Sequence, residues 1–271
     1  LEPFNIEWDW LFHDLRSTNF VVEKIACGGL WNAPEVAINN LKADLFGGTL
    51  TASELSAFNS EWVEPVSIDY RGWRVYELPP NGQGMAALEM LNIMEVTPAS
   101  PFGAFSPMEM HKRIEAMKLA YADRDTYYGD PKFNKIPSDV LLSKEYAAER
   151  RKLIGDRGSM DFLPGAVNGK PGHHPSEEEV AHIPLSPVLM AHDTTCVDAI
   201  DKDGIMFTAT PSGAWLPSVI AGDTGIPLSV RAQSFVLIPG HPNELGPGKR
   251  PRITLTPTLI TYADGRPAGV L

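Results

Sequence analysis

The middle of the chain has the apolar periodicity of helices. A run rich in methionine and leucine predicts a helix over about 85–95. Ser106 is followed by proline and then, at the third position, by glutamate, which predicts the start of a long helix that ends before Gly129. A further helix is expected over about 143–154. The long helix carries apolar residues on one stripe, formed by Met110, Ile114, Met117 and Tyr121.

Alternating apolar and polar positions, which are typical of strands, occur before and after these helices. Residues 71–78 alternate and stop at two prolines, and the glycine loop that follows is either a tight strand-to-helix turn or an anion-binding nest. Residues 195–200 and 205–210 alternate on either side of a Lys-Asp-Gly turn, which predicts a β-hairpin. Another strand pair is expected within 252–267, whereas residues 1–45 show no clear pattern.

A stretch rich in glycine, proline and polar residues separates the helical middle from the strand-rich end. It covers residues 155–185 and predicts an exposed, mobile loop. Helices followed by strands favour an α+β layered fold over a regular alternation of strand and helix. The chain starts at Leu1 rather than methionine and ends in an apolar run typical of the start of a strand, so we expect it to be incomplete at both ends.

Composition excludes several classes of protein. The 271 residues carry a net charge of -11, which argues against nucleic acid as a partner, because phosphate binding needs a basic face. No apolar run reaches the roughly 18 residues of a membrane span. Cys27 and Cys196 do not make a disulfide framework, and without a signal-peptide pattern the compartment stays open between cytoplasm and periplasm or secretion. Adjacent His173 and His174 have no cysteine or carboxylate at ligand spacing, so no metal site is predicted.

One threonine at the head of the predicted hairpin offers nucleophilic chemistry. If the peptide bond between Asp193 and Thr194 were broken, Thr194 would carry a free α-amine beside its own hydroxyl. An α-amine has a pKa of about 8, so it would be partly neutral at pH 7 and able to act as the base for that hydroxyl. The alternative is structural, because β-branched residues such as the pair Thr194 and Thr195 are common in strands.

Several segments together point to a known family. The segments DTTCVDAIDKDG, ATPSGAW, HKRIEAMKLAYADRDTYYGDP and PGHPNELGPGKRPRITLTPTLI resemble the γ-glutamyltranspeptidase family of N-terminal-nucleophile hydrolases, over roughly residues 50–271. The resemblance implies a four-layer αββα sandwich of the α+β class. It also implies that 1–193 is a helix-rich large-subunit part, that 194–271 is a small-subunit part, and that the large subunit's substrate-binding arginine and the Gly-Gly oxyanion hole lie outside this chain.

The resemblance also implies roles for individual residues. Thr194 takes the place of the nucleophile, which becomes the new N-terminus when the chain cleaves itself after Asp193. Ser212 takes the place of a hydroxyl that hydrogen-bonds the nucleophile, and Thr195 stands with the substrate-binding residues. No metal or organic cofactor is implied.

Other positions depart from the glutamyl-specific members of the family. The asparagine and the acidic residue that hold the substrate's α-amino group in those members fall near Ala214 and Ser234, where the segments SGAW and AQSF supply neither. A pair of serines after the Lys-Arg-Pro motif keeps one hydroxyl, at Thr254. Without these polar residues, the charged groups of a γ-glutamyl substrate would be left unpaired, so the sequence argues against glutathione as the substrate. Arg231 or Arg252 could hold a small carboxylate by a forked contact, unless each is a surface arginine.

These observations leave three hypotheses for function. The first is a self-cleaving amide hydrolase or acyl transferase that works through an acyl ester on Thr194 and acts on a small amide or γ-glutamyl compound. The second is an amidohydrolase of the same family without glutamyl specificity, similar to the cephalosporin acylases and an oxamate amidohydrolase. The third is a non-catalytic relic that only binds. In the first two, cleavage leaves a large and a small subunit as a heterodimer, or as a dimer of such heterodimers.

Overall fold

The computed structural model describes the chain in segments. These are residues 5–16, 21–32, 35–45, 48–51, 59–161, 163–170, 172, 194–212, 229 and 231–271, with the segments up to residue 51 described as backbone only. The chain divides into two units. One contains Leu1–Trp62 with Ala214–Ser229, and the other contains Val63–Gly213 with Val230–Leu271.

The first unit contains an antiparallel meander that the sequence did not predict. Its strands follow one another in chain order, and each pairs with the next. They are β1 (Asn5–Arg16), β2 (Val21–Asn32), β3 (Glu35–Leu45) and β4 (Gly48–Thr51). The part before residue 194, which was predicted to be rich in helices, therefore begins with a sheet. The division into a large and a small subunit at residue 194 remains a prediction.

A second antiparallel sheet organises the other unit. Its strands are β5 (Val66–Tyr70), β6 (Trp73–Glu77), β9 (Leu259–Tyr262) and β10 (Pro267–Val270), in the spatial order β10-β9-β6-β5. A tight turn through Arg71 and Gly72, both with positive φ, joins β5 to β6, as is typical of two-residue hairpins. Strand β6 then pairs with β9, which lies far along the chain on the other side of residue 194. The sheet therefore joins both halves of the chain.

Helices follow β6 where the apolar periodicity predicts them. They are α1 (Gly84–Glu95), α2 (Pro107–Tyr127), the single turn α3 (Ser138–Leu141) and α4 (Lys144–Arg151). The Ser106 side chain caps α2 by accepting the backbone N–H of Glu109 at 3.3 Å. The Glu109 carboxylate accepts the backbone N–H of Ser100 instead of that of Ser106, so only half of the predicted capping box forms.

The buried face of α2 is not its stripe of large apolar residues. Small residues, including Ala116, Ala120 and Ala122, are fully buried and let neighbouring elements approach closely. Met110, Ile114 and Met117 remain exposed and line an open cavity of about 1060 Å³ against β6, β9 and α1. Among the described residues, no helix is long and apolar enough to cross a membrane.

The core lies where α1 packs on the sheet. Leu88 clusters with Ile68 and Val75 of the sheet, while Met85 belongs to a second cluster with Tyr128, Ala120 of α2 and Tyr146 of α4. Helix α1 therefore contributes buried side chains to both clusters, which explains its high content of methionine and leucine.

A buried polar cluster crosses this helical core. Asp123 on α2 and Arg150 on α4 form an ion pair of 3.1 Å, and Asp123 also accepts the backbone N–H of Gly165 at 2.6 Å. Burial and the negative charge of Asp123 raise the pKa of Glu89 well above its ordinary value, and Tyr128 donates to Glu89 at 2.5 Å. Burial also raises the pKa of Asp123, but Arg150 and the backbone N–H of Gly165 oppose that effect, so the cluster favours its negative charge on Asp123 and a proton on Glu89.

A second buried carboxyl lies at the end of β6. Glu77 is only 2% exposed and accepts the hydroxyl of Thr258 at 2.5 Å, while its Oε2 has no hydrogen-bond partner among the described residues. A Cβ at Gly84 would come within 2.3 Å of that oxygen, which explains glycine at the start of α1. Burial raises the pKa of Glu77 to about 7.

This pKa predicts how stability depends on pH. The pKa is raised on folding, so the contribution of Glu77 to the free energy of unfolding is greatest below about pH 4.5 and decreases by about 2–3 kcal/mol as pH rises towards 7. Glu77→Gln removes the titrating group, so urea unfolding of the variant should lack this part of the decrease. Equal decreases in the two proteins would contradict the prediction.

The predicted hairpin near residue 194 also forms. It consists of β7 (Val197–Ile200) and β8 (Met206–Ala209), which pair from Val197 with Ala209 to Ile200 with Met206. Its turn contains Gly204 with positive φ and is closed by Asp201, whose carboxylate accepts the backbone N–H groups of Asp203 and Ile205. The described part of the predicted 155–185 loop is irregular apart from a bridge between Val167 and Lys170, and residues 173–185 lie outside the described residues.

Candidate active site

The hairpin register brings Thr194 and Ser212 together. Continuing the pairing by three residues on each strand places the two side chains opposite each other, as a cross-strand pair. Their hydroxyl oxygens are 3.2 Å apart, so they are hydrogen-bonded, and the Thr194 side chain is exposed. The sequence-based expectation that Ser212 contacts Thr194 agrees with this geometry.

The same face of the hairpin continues with polar residues. Cys196 lies opposite Thr210, with 3.7 Å between sulfur and hydroxyl, and its thiol is 3.4 Å from both oxygens of the Asp198 carboxylate. Strand alternation places Cys196 on the side of Thr194, and its thiol is exposed. Cys196 is therefore not a buried structural thiol.

A buried arginine lies next to the pair of hydroxyls. Arg231 begins a 3₁₀ turn over Arg231–Ser234, and its guanidinium donates to Ser212 Oγ and to Thr254 Oγ1, each at 3.1 Å. The residue is 9% exposed, and burial lowers its pKa. Even so, a guanidinium in a protein stays charged and has no acceptor, so both hydroxyls must accept from it.

Arg252, the other predicted carboxylate ligand, has different contacts. Its guanidinium is 2.8 Å from the Asp125 carboxylate and donates to the carbonyl of Arg124 at 3.3 Å. Burial lowers its pKa, and Asp125 opposes that effect. Neither Arg231 nor Arg252 is a surface arginine, so that alternative is wrong for both.

Asn243 connects these two arginines, and the sequence analysis did not single it out. Its side chain is fully buried, donates to the carbonyl of Ser234 at 2.6 Å and accepts the backbone N–H of Arg252 at 2.8 Å. The 3₁₀ turn that carries Arg231 is therefore anchored to the segment that carries Arg252 and Thr254. The sequence gives no signal for this role, because an isolated asparagine among glycines and prolines is typical of a turn.

The glycine loop before α1 also contacts this segment. The backbone N–H of Ile253 donates to the carbonyl of Asn81 at 3.0 Å, and the Gln83 side chain donates to the carbonyl of Thr254 at 3.3 Å. Arg124 in turn donates to Gln83 at 2.7 Å. The loop is therefore a tight strand-to-helix turn, and its hydrogen bonds position Thr254 beside Arg231.

The predicted site residues therefore fall into distinct groups. Thr194, Ser212, Arg231 and Thr254 form one continuous set of hydrogen bonds. Thr195 is exposed next to that set, whereas Ser234 and Arg252 belong to the cluster around Asn243. Asp193 and Ala214 lie outside the described residues, as do His173 and His174. In the part of the chain that the structure describes, no three potential ligands are grouped to hold a metal ion.

Comparisons with known proteins agree with one another. The family model for gamma-glutamyltranspeptidase matches residues 36–271. A glutathione hydrolase proenzyme of Pseudomonas sp. (strain A14) is 33% identical over 98% of this chain and 45% of its own length. The acylase ACY 1 proenzyme of Pseudomonas sp. (strain V22) is 30% identical over 83% of this chain and 37% of its own length.

A solved structure shows the same likeness in three dimensions. The cephalosporin acylase from Bacillus halodurans has a TM-score of 0.65 and 36% sequence identity, over 83% of this chain and 37% of its own. The chain spans less than half the length of each of these relatives.

Proposed function

This chain belongs to the gamma-glutamyltranspeptidase family, and we propose that it is part of a self-cleaving amide hydrolase or acyl transferase with Thr194 as its nucleophile. The proposal also includes the four-layer αββα sandwich of N-terminal-nucleophile hydrolases for the complete protein. The observation that carries it is the 3.2 Å hydrogen bond between Thr194 and Ser212, which sets an exposed hydroxyl beside a second one.

In the first step, the precursor cuts itself. Thr194 Oγ attacks the carbonyl carbon of Asp193, the peptide bond breaks, and the hydroxyl proton ends on the freed nitrogen. Asp193 is then held as an ester on Thr194 Oγ until water hydrolyses it. The products are a carboxylate at Asp193 and a Thr194 with a free α-amine.

In turnover, the same hydroxyl attacks the carbonyl carbon of a substrate amide. Its proton passes to the α-amine of Thr194 and from there to the departing nitrogen as the carbon–nitrogen bond breaks. Water then adds to the acyl ester, and its proton returns through the amine to Thr194 Oγ as the acid leaves. An amine in place of water gives transfer instead of hydrolysis.

The residues around the hydroxyl pair favour the second substrate class over γ-glutamyl compounds. A γ-glutamyl substrate carries an α-ammonium group next to its α-carboxylate, and the segment around Ser234 lacks the acidic residue with which glutamyl-specific members pair that ammonium. Arg231 offers a guanidinium to anions but no acceptor to an ammonium group. Acyl groups without an ammonium group need no such partner. We therefore propose small amides of that kind as substrates, as in the acylase branch of the family.

Intact mass and N-terminal sequencing of the full-length protein test the proposal. We expect two polypeptides, one that ends at Asp193 and another that begins with Thr194 and carries a free α-amine. A fully active preparation in which the nitrogen of Thr194 is still acylated would refute the mechanism. An intact, inactive chain would favour the relic that only binds.

Hydrolysis of three amides then distinguishes the substrate classes. We expect a small neutral anilide or oxamate to give a higher kcat/KM than γ-glutamyl p-nitroanilide, by about tenfold or more, since an ammonium group without its acidic partner costs about 1 kcal/mol or more. Efficient turnover of the γ-glutamyl compound would show that the missing acidic residue does not decide specificity.

A further inference from the structure

We infer that Arg231 is a positioning residue that acts through Ser212: its charge orients the Ser212 hydroxyl towards Thr194 and lowers the pKa of the Thr194 α-amine. This inference rests on the proposed function. It assigns Arg231 a role in the chemistry itself, in place of the carboxylate binding that the sequence predicts.

The direction of the hydrogen bonds supports the first part. Arg231 can only donate, so one lone pair of Ser212 Oγ accepts from it at 3.1 Å. A hydroxyl that accepts from a cation becomes a better donor, because the charge polarises its O–H bond. The partner at 3.2 Å is Thr194 Oγ1, which develops negative charge as it attacks. Donation from Ser212 stabilises that charge and leaves the proton of Thr194 directed towards its base.

The rigid setting of Arg231 supports the same conclusion. Thr254 binds the second Nη at 3.1 Å, and Asn243 fixes the end of the 3₁₀ turn through the carbonyl of Ser234. A buried charge held in place by its neighbours is preorganised: it can stabilise developing negative charge without rearranging during the reaction. Thr254 therefore holds the guanidinium so that its other nitrogen faces Ser212.

The charge also acts on the base of the mature enzyme. The guanidinium of Arg231 is separated from the Thr194 hydroxyl only by that of Ser212. A cation at that range disfavours the ammonium form of the Thr194 α-amine, so the pKa of the amine falls below its ordinary value of about 8. More of the amine is then neutral at pH 7 and able to accept a proton. Removing the charge should raise this pKa and move the acid limb of the kcat/KM profile to higher pH.

Self-cleavage separates positioning from substrate binding, because it involves no substrate. We expect Arg231→Gln to slow self-cleavage by about 10- to 100-fold, measured from intact mass over time after synthesis. In the cleaved protein, kcat for a neutral anilide should fall while KM stays within about twofold, and the acid limb should move up by about half to one pH unit. Normal self-cleavage together with an unmoved acid limb would overturn the inference.

Three further variants keep the test decisive if Arg231→Gln folds poorly. Arg231→Lys keeps the charge, so the acid limb should stay while kcat falls, because one ammonium cannot reproduce both forked contacts. Ser212→Ala should likewise lower kcat with an unmoved acid limb. Arg266→Gln, which removes an exposed arginine paired with Asp264, is the matched control and should change neither quantity. A shifted acid limb in any of these variants would contradict the inference.

The proposed function can fail separately. If Thr194→Ala still cleaves and turns over amides, the nucleophile is wrong and the role of Arg231 is lost with it. If Thr194→Ala is inert but Arg231→Gln behaves like the wild type, only the inference about Arg231 is wrong.

Discussion

Thr194→Ala is expected to abolish self-cleavage and to lower amide turnover by about 10⁴-fold or more. In the proposed mechanism the hydroxyl forms the bond to the acyl group in both steps, and loss of the nucleophile leaves only what binding and positioning contribute. Intact mass should show one uncut chain, and a chromogenic anilide should give a rate near that of the uncatalysed reaction. Thr194→Ser keeps the hydroxyl and should retain both cleavage and measurable turnover.

A matched control for this experiment lies one pair along the hairpin. Thr210 faces Cys196 instead of Thr194, so Thr210→Ala removes a similar side chain from the same face without touching the reacting atoms. We expect it to cleave and to keep turnover within about threefold. Efficient cleavage of Thr194→Ala, or equal losses in both variants, would contradict the assignment of Thr194.

Asp123→Asn is expected to cost about 3–5 kcal/mol of stability. Asp123 is fully buried against Arg150, which is 4% exposed, so the substitution leaves a buried guanidinium without its counter-charge. The amide also presents only one oxygen to the Arg150 guanidinium and the Gly165 N–H. Urea unfolding should show the loss as a lower midpoint with a similar slope.

The neighbouring carboxyl provides the control. The raised pKa of Glu89 favours its neutral form in the folded state, so Glu89→Gln replaces one neutral group with another of similar shape and should cost about 1 kcal/mol or less. Both substitutions thus replace a carboxyl group with an amide, at two positions of the same buried cluster. Equal costs would show that Asp123 and Glu89 do not differ in charge.

Local signals made the helices and the hairpin predictable. Ser106 and Ser143 cap their helices through contacts that lie within three residues, and Gly204 sets the turn of β7 and β8. The hairpin register then fixes the pairing of Thr194 with Ser212, so the centre of the site also follows from local sequence. Residues near each other in the chain determined all of these features.

The sequence was less informative where distant segments meet. The contacts of Arg231 with Ser212 and of Arg252 with Asp125 depend on how whole elements pack, so the spacing of these residues in the sequence does not predict them. The strands β1 to β4 were missed because their connections contain no Asn-Gly or Asp-Gly pair. On α2, large apolar residues suggested a packed stripe, but the close approach of neighbouring elements selected the alanine face.

The pairing of β6 with β9 affects how the protein would refold after cleavage. One strand precedes residue 194 and the other follows it, so backbone hydrogen bonds would hold the two products together after the cut. Before the cut, folding is a reaction of one molecule; afterwards, renaturation needs two polypeptides to find each other, with the associated loss of translational freedom. The precursor would then refold more readily than the cleaved form. The yield of refolded mature protein after removal of denaturant should therefore depend on protein concentration.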